Sequence, residues 1–316
     1  MATKSNRAHA WKDLRPMLAT LIDEPFDDPA WVFETKWDGF RMIAEIQNGS
    51  ATLYSRNGKI LSERYMPVAQ ALEKILLDCV IDGELVALDE HGRSRFQLLQ
   101  NALRQKSNLR YYVFDCLFAG GKDVRKLPLL DRKEILQKLV PKSGLVQLSV
   151  HRPEYGTQYF KQAKKEGQEG IIAKRADSTY QSGVRSRDWL KIKAVFEQEA
   201  VIVGFTEPRR SRAYFGSLAL AVRADGKWKY VGHVGTGFDT PTLRDLYRKL
   251  SPLKSAKPFP EKTKYDSTTT WVKPKYVAEV KFTEWTANDE MRHPVYLGLR
   301  EDKKPEDVTM EKPKHV

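Results

Sequence analysis

The stretch Glu34-Thr35-Lys36-Trp37-Asp38-Gly39-Phe40-Arg41 decides how the fold is interpreted, because it places one lysine between two acids. A solvated lysine is protonated at neutral pH, since its pKa is about 10.4, and it is then inert as a nucleophile. A catalytic lysine has to be desolvated or surrounded by other cations. An amphipathic strand that ends in a turn at Asp38-Gly39, with Lys36 in solvent, explains the same residues equally well. The rest of the chain has to separate the two interpretations.

Length and charge narrow the class of protein. The chain has 316 residues, of which 41% are hydrophobic and 30% charged, so two modest cores are expected. The formal net charge is +13, and both halves are basic: residues 1–195 carry 32 basic and 24 acidic side chains, and residues 196–316 carry 22 and 17. This distribution favours a polyanionic partner held between two domains. A soluble protein of high pI that binds no nucleic acid is the alternative.

The cysteines and the apolar runs exclude several classes of protein. Cys79 and Cys116 lie in apolar runs and are expected to be buried free thiols in a reducing compartment. No Cys-x-x-Cys pair is present, which excludes a cysteine-based zinc site. The first seven residues lack an apolar signal region, and no run of eighteen apolar residues occurs. We therefore expect a cytoplasmic, nucleoid-associated protein without a membrane anchor.

Apolar periodicity and turn residues predict mixed structure in the first part of the chain. Strands are predicted over 31–35, 41–47, 52–55, 109–117, 171–174 and 189–193, with a strand-turn-strand over 79–88 around Asp82-Gly83. Helices are predicted over 66–77, 96–104, 131–140 and 154–166, the third with Asp131 as its N-cap.

The second part of the chain predicts a small barrel. Strands are expected over 200–205, 217–223, 228–234 and 277–283, with one helix over 242–250. Short strands with a single helix are typical of the five-stranded barrels that bind nucleic acids. The predicted domains are a flexible arm over 1–14, a first domain over 15–195 and a barrel over 196–316, with a hinge between residues 194 and 200. The segment 303–316 is expected to fray or to form a short exposed helix.

Five further motifs follow the opening stretch in order. They are Ser55-Arg56-Asn57-Gly58, Asp82-Gly83-Glu84-Leu85, Phe114-Asp115, Glu169-Gly170-Ile171-Ile172-Ala173-Lys174 and Trp189-Leu190-Lys191-Ile192-Lys193. In order and spacing they resemble the signature elements of the covalent nucleotidyltransferases, which are ATP-dependent DNA ligases, RNA ligases and mRNA capping enzymes. The stretches 15–20, 282–286 and 292–303 make the chain most similar to the ligase module of bacterial end-joining ligases and to small stand-alone prokaryotic ATP-dependent ligases. The resemblance extends from residue 15 to residue 303.

The resemblance implies a fold and a reaction. The fold is α+β: a nucleotidyltransferase domain of the ATP-grasp-like ligase kind, with antiparallel sheets and flanking helices, followed by an OB-fold barrel. Lys36 would attack the α-phosphorus of ATP and hold AMP, which then passes to the 5′-phosphate of a nick before the 3′-hydroxyl displaces it. Such an enzyme seals nicked double-stranded DNA in repair or end joining; an RNA ligase or a capping-type nucleotidyltransferase is the alternative. Mg²⁺ is expected as the metal, with Mn²⁺ as a substitute.

The resemblance also assigns nucleotide contacts. Glu34 and the backbone of Thr35 would face the adenine amine, and Phe114 would stack on the purine, although a plain core aromatic explains Phe114 as well. Arg41 and Arg56 would contact phosphates and ribose. Two carboxylates complete the set: Glu84 would bind the ribose or, through water, the metal, and Glu169 would be the main metal ligand. Asp38 and Asp82 are expected to hold turns.

Three further cations would surround the phosphates. Lys191 and Lys193 share one face of a strand, because side chains alternate with period two, and both would reach the α-phosphate. Their charge would also lower the pKa of Lys36. Arg187 matches an ATP contact of the family, with Arg185 as a rival.

The remaining assignments concern DNA and the leaving group. The expected DNA contacts are Lys174, for which an edge charge is the alternative, and Arg209, Arg210 and Arg212. Arg300, Asp302 and Lys303 resemble the last signature element and would orient pyrophosphate in the first step, the alternative being a polar tail. The expected partners are nicked duplex DNA and Ku-like or polymerase repair proteins. The chain is expected to act as a monomer.

Overall fold

The computed structural model describes residues 14–102, 108–141, 144–194, 196–208, 212–257, 259–260 and 268–311. The chain forms two compact units, with the boundary between Ala194 and Val195. The predicted N-terminal arm lies almost entirely outside the described residues.

The first unit contains eleven strands and four helices in its described residues. The strands are β1 Leu18–Ile22, β2 Asp27–Thr35, β3 Phe40–Gln47, β4 Ser50–Ser55, β5 Cys79–Leu88, β6 Asn108–Ala119, β7 Lys122–Asp123, β8 Val146–Leu148, β9 His151–Tyr155, β10 Gly170–Arg175 and β11 Arg185–Lys193. The helices are α1 Met66–Leu72, α2 Phe96–Asn101, α3 Leu129–Leu139 and α4 Gly156–Lys165.

These strands form two sheets. Sheet A has the order β1-β11-β10-β2-β9, and sheet B has the order β4-β3-β5-β6-β7 with β8 paired to β6. The pairs are antiparallel except for β1 with β11 and β6 with β8, which are parallel. The nucleotidyltransferase ligase fold expected from the sequence is confirmed, and the two parallel pairs refine it.

Three apolar clusters hold the first unit together. One face of sheet B packs under α1, α2 and α3, in a cluster that includes Met42 and Ile81 of the sheet and Leu136 of α3. One face of sheet A packs under α4, with Phe33, Ile171 and Ile192 fully or almost fully buried. The third cluster contains residues of both sheets and of their connections: Met17, Ile43, Val80, Phe114, Leu117, Tyr180 and Trp189. The two sheets therefore meet face to face, each covered by helices on its other side.

Several details of the first unit differ from the sequence prediction; helix α1, for example, ends at Leu72, five residues earlier than predicted. Residues Cys79–Leu88 form one continuous strand, without a turn at Asp82-Gly83. Gly83 serves close packing instead, because a Cβ there would lie 2.6 Å from the carbonyl oxygen of Tyr112. Helix α3 starts two residues earlier than predicted, with Pro128 at the N-cap position and Asp131 in the first turn.

The second unit is a barrel. Its strands are β12 Phe196–Thr206, β13 Leu218–Ala224, β14 Lys227–Val234, β15 Thr269–Trp271, β16 Val277–Phe282, β17 Glu284–Trp285, β18 Met291–Arg292 and β19 Val295–Leu299. Five of them follow the order β14-β13-β12-β16-β19, and a bridge between Thr236 and Val295 connects the two ends of this sheet. Helix α5, Thr240–Leu250, is capped by Asp239, whose side chain accepts a hydrogen bond from the Thr242 amide. This architecture is the expected OB fold.

The end of the chain is more ordered than the sequence predicts. A 3-10 turn spans Pro305–Asp307, and Val308 is fully buried in the barrel core. The amide of Met310 donates to the carbonyl of Arg223 at 2.7 Å. The expectation of a frayed tail is therefore wrong as far as residue 311, and residues 312–316 lie outside the described part. Among the described residues, no helix has the length and apolar character needed to cross a membrane.

Candidate nucleotide and nucleophile site

The register of sheet A collects the predicted site residues on one face. Glu34 pairs with Ile172, which pairs with Lys191, and Gly170 pairs with Lys193. Directly paired residues share a face, and residues two apart on a strand return to it. That face therefore carries Glu34, Lys36, Lys174, Lys191 and Lys193, and the opposite face is the apolar one under α4. We call the charged side the site face.

The nucleophile candidate lies at the end of β2. The amide of Lys36 donates to the carbonyl of Gly170 at 3.0 Å, and its ammonium group contacts the carboxylate of Glu169. Both side chains are largely removed from solvent, with 17% of Lys36 and 7% of Glu169 exposed. The interpretation of Lys36 as a freely solvated turn residue does not agree with this burial.

Gly170 allows strands β10 and β11 to approach each other closely beside the Lys36–Glu169 pair. Gly170 has φ +150°, and a Cβ there would lie 2.1 Å from the carbonyl oxygen of Ile192. No side chain fits that space. Glu169 and Lys193 are consequently brought to the same end of sheet A.

Asp38 lies beside this pair and has two functions in the structure. Its carboxylate accepts a hydrogen bond from the Phe96 amide at 3.0 Å, which ties this segment to the first residue of α2. A carboxylate oxygen of Asp38 also lies within 4.8 Å of one from Glu169. Two oxygen ligands at this separation fit a hard cation such as Mg²⁺. Sequence reasoning gave Asp38 the turn alone.

Glu34 is buried between two lysines. Its Oε1 lies 2.7 Å from Nζ of Lys133 and 3.0 Å from Nζ of Lys174. Burial alone would raise the pKa of Glu34, but the two ammonium groups outweigh it and the pKa is lowered. Glu34 is therefore a charged acceptor in the interior.

Sheet B contributes an arginine that is firmly held. Arg41 donates to both carboxylate oxygens of the fully buried Asp82, at 2.6 and 2.7 Å, and the hydroxyl of Tyr180 donates to the same carboxylate at 2.5 Å. Burial works against the charge of Arg41, but Asp82 dominates and raises its pKa. Asp82 thus fixes an arginine within a strand; the expected turn-holding role is wrong.

Phe114 occupies a bulge in β6. Asp82 pairs with Asp115 and Gly83 with Val113, so Phe114 is the extra residue, and such bulges redirect a side chain. The guanidinium of Arg41 lies 4.4 Å and Nζ of Lys174 4.0 Å from the ring centroid. Phe114 lies in the layer between the sheets, next to the cations of both.

The other predicted nucleotide contacts occupy varied positions. The Thr35 side chain lies on the apolar side and shares a 2.7 Å hydrogen bond with Tyr159. Glu84 pairs across strands with Arg41, and Arg56 is half-buried where β4 ends. Arg187 is exposed, and its rival Arg185 donates to the carbonyl of Ala19 at 2.5 Å. The bond to Ala19 gives Arg185 a structural role.

The predicted DNA contacts need revision. Lys174 is only 2% exposed and its ammonium group contacts Glu34, so in this structure it lies in the interior beside a proposed nucleotide contact and not on the protein surface. Arg209 and Arg210 lie outside the described residues. Arg212 donates from one nitrogen to the carbonyls of Gly216 and Gly235, at 2.7 Å each, which ties its loop to the barrel.

The last predicted element forms an ionic cluster within the barrel. Arg300 donates to Asp302 at 2.9 and 2.8 Å and to Glu279 at 2.9 Å. Lys303 lies 2.6 Å from Glu199. Burial opposes the charge of Arg300, but Asp302, Glu199 and Glu279 raise its pKa. Asp302 is the direct partner of Arg300, and Lys303 is not part of a loose tail.

Sequence reasoning missed Lys133, Tyr180 and Trp189 as parts of the site. A signal for Lys133 was present: the buried positions of α3 are 129, 132, 133 and 136, the spacing of an apolar stripe, and two of them are cations. Arg132 in this stripe donates to both oxygens of the buried Asp115, at 2.7 and 2.9 Å. Cations at core positions need buried acids as partners.

Comparison with known proteins identifies the family. A family model described as ATP dependent DNA ligase domain matches residues 16–193, and one described as ATP dependent DNA ligase C terminal region matches residues 211–303. The chain belongs to the ATP-dependent DNA ligases. Its matches favour a DNA ligase over the RNA ligase or capping alternative.

Within this family several relatives are named as end-joining proteins. The chain is 36% identical over 311 residues to the multifunctional non-homologous end joining protein LigD of Pseudomonas aeruginosa. The aligned region covers 95% of this chain and 37% of that protein. It is also 36% identical over 315 residues to LigD of Mycobacterium tuberculosis, and this aligned region covers 98% of this chain and 41% of that protein. The chain thus spans about two fifths of the length of these curated relatives.

A solved structure agrees with this placement. The chain is similar to mycobacterial DNA ligase D complexed with ATP and MES, with a TM-score of 0.71, 34% identity, and coverage of 95% of this chain and 99% of that one.

Proposed function

We propose that this chain seals nicks in duplex DNA through a Lys36-AMP intermediate and a 5′-adenylated DNA intermediate. The observation that carries the proposal is the contact between Lys36 and Glu169 on the site face, at the end of the sheet that also carries Lys191 and Lys193. The relatives named for end joining support a role in double-strand break repair.

In the first step the nitrogen of Lys36 forms a bond to the α-phosphorus of ATP and the bond to pyrophosphate breaks. The ammonium group of Lys36 must first lose a proton, and the carboxylate in contact with it is that of Glu169. Lys191 and Lys193 face the same side and are placed to offset the charge of the phosphates. Arg41 is oriented by Asp82 and therefore meets a phosphate or ribose oxygen without having to find its own conformation.

Asp38 and Glu169 are the residues that would hold the metal. Their oxygens are hard donors and lie close enough to share one ion. Bound there, Mg²⁺ would neutralise negative charge on the phosphates. Glu84 remains a proposed ribose contact, on the strand next to Arg41.

The other proposals follow from family membership and charge. ATP would be the nucleotide, nicked DNA the substrate, and Ku-like or polymerase proteins the partners of a monomer in the cytoplasm, associated with the nucleoid. Arg300 and Lys303 would act on pyrophosphate after release from their carboxylate partners in the barrel.

The test is adduct formation with α-labelled ATP or GTP, followed by addition of nicked DNA or RNA. We expect a labelled AMP adduct, its transfer to nicked DNA, and sealing. Lys36→Ala should abolish the adduct because no nucleophile remains, and Lys74→Ala, at an exposed lysine, should form it normally. An adduct that persists in Lys36→Ala, a GMP adduct, or sealing confined to RNA would contradict the proposal.

A further inference from the structure

Lys133 connects the two sheets at the buried end of the site. Its Nζ lies 2.7 Å from Oε1 of Glu34 in sheet A and donates to the carbonyl oxygen of Phe114 in sheet B at 3.0 Å. An ammonium group has three donors, so one side chain can serve both acceptors. Lys133 is itself buried, in the centre of the apolar stripe of α3.

The two residues that Lys133 joins are those proposed to recognise the base. Phe114 would supply the stacking surface, and Glu34 the acceptor for an exocyclic amine. The distance between ring and carboxylate therefore depends on Lys133. We propose that Lys133 is a positioning residue that sets the specificity of this site for purine nucleotides bearing a 6-amino group, an inference that rests on the proposed function.

The charge of Lys133 matters as well as its reach. An ionised carboxylate only accepts hydrogen bonds, so it favours the 6-amino group of adenine and opposes the 6-oxo group of guanine. Burial works against ionisation of Glu34, and Lys133 and Lys174 offset it. Other ionisable groups near this cluster are His151 on β9, opposite Glu34, and the Asp115–Arg132 pair. The arrangement keeps one acceptor charged where water is excluded.

The test compares ATP with purine riboside 5′-triphosphate, which lacks the 6-amino group. Equilibrium binding is measured without divalent metal, after pyrophosphate and Mg²⁺ have removed any AMP carried by the purified protein. Wild type should bind ATP about 10- to 100-fold more tightly than the analogue, as expected for a hydrogen bond to a charged group. In Lys133→Met the ratio should fall close to one, mainly through weaker binding of ATP. Lys133→Arg, which retains the charge, should keep part of the preference.

Lys138→Met is the matched control, because Lys138 is exposed on the same helix. It should leave the ratio unchanged. A purely structural role for Lys133 would weaken both nucleotides equally, and that result would overturn the inference.

Should Lys133→Met fail to fold, the wild-type measurement can still overturn the inference. Equal binding of ATP and the analogue by wild type would show that the site has no amine-selective acceptor. Adduct formation with metal is measured separately. Loss of the adduct with a retained ratio would reject the proposed function and leave this inference standing.

Discussion

Several charged side chains of this site are buried and form ion pairs in the interior. Lys174 is the clearest case: the sequence suggested a DNA contact, and the structure places its ammonium group against Glu34, 4.0 Å from the Phe114 ring and 4.3 Å from the Trp189 ring. Burial lowers the pKa of Lys174 to about 8, Glu34 opposes this shift, and Lys133 adds to it. Such a lysine loses its proton at a lower pH in the folded protein than in the unfolded chain.

This difference predicts a pH-dependent stability. Between pH 8 and about 10.5 the unfolded chain binds more protons at this group than the folded protein, so its contribution to the free energy of unfolding rises with pH. Wild type should therefore gain stability relative to Lys174→Met across this range, by about 3 kcal/mol at most. Urea unfolding at pH 7.5, 9 and 10 measures the difference. Lys138→Met should give a flat difference, and a flat or falling one for Lys174→Met would contradict the assignment.

At the level of strands and helices, the sequence predicted those elements whose pattern is local. The alternation in Arg41 to Gln47 and in Trp189 to Lys193 matches β3 and the end of β11. The Asp82-Gly83 pair misled because a turn signal and a close-packed glycine look alike in sequence. The contacts of Glu34 with Lys133 and Lys174 could not be predicted, since they join residues about 100 and 140 positions apart and depend on the register of three elements.

The junction of β10 and β11 gives a prediction at this scale. Gly170→Ala should destabilise the protein by about 2–4 kcal/mol, because the methyl group would meet the Ile192 carbonyl and φ of +150° strains an alanine. Adduct formation should fall with it, since the same junction places Glu169 against Lys36. Gly235→Ala is the control, because the nearest atom to its Cβ is 3.7 Å away. Equal thermal stability of the two variants would show that β10 and β11 can separate without cost.

At the scale of the whole molecule, we expect charge to determine the proposed interaction with DNA. A net charge of +13 spread over both halves predicts many phosphate contacts without sequence preference. The exposed lysines of α4, among them Lys164 and Lys165, lie on the helix that covers the apolar side of sheet A, opposite the site face. They are therefore poor candidates for contacts with a nick held at Lys36.

The salt dependence of DNA affinity distinguishes the contribution of Arg209 and Arg210 from that of Lys164 and Lys165. Affinity for a nicked duplex should fall about 10³-fold between 50 and 200 mM salt if roughly six phosphates are contacted. Arg209→Gln with Arg210→Gln should lower the slope of log affinity against log salt by up to about two. Lys164→Gln with Lys165→Gln removes the same charge from the far side of sheet A and should leave that slope unchanged. Both double variants change the net charge equally. A similar loss of slope in each would therefore mean that overall charge, and not a defined surface, attracts DNA. A wild-type affinity that does not change with salt would contradict the prediction of phosphate contacts.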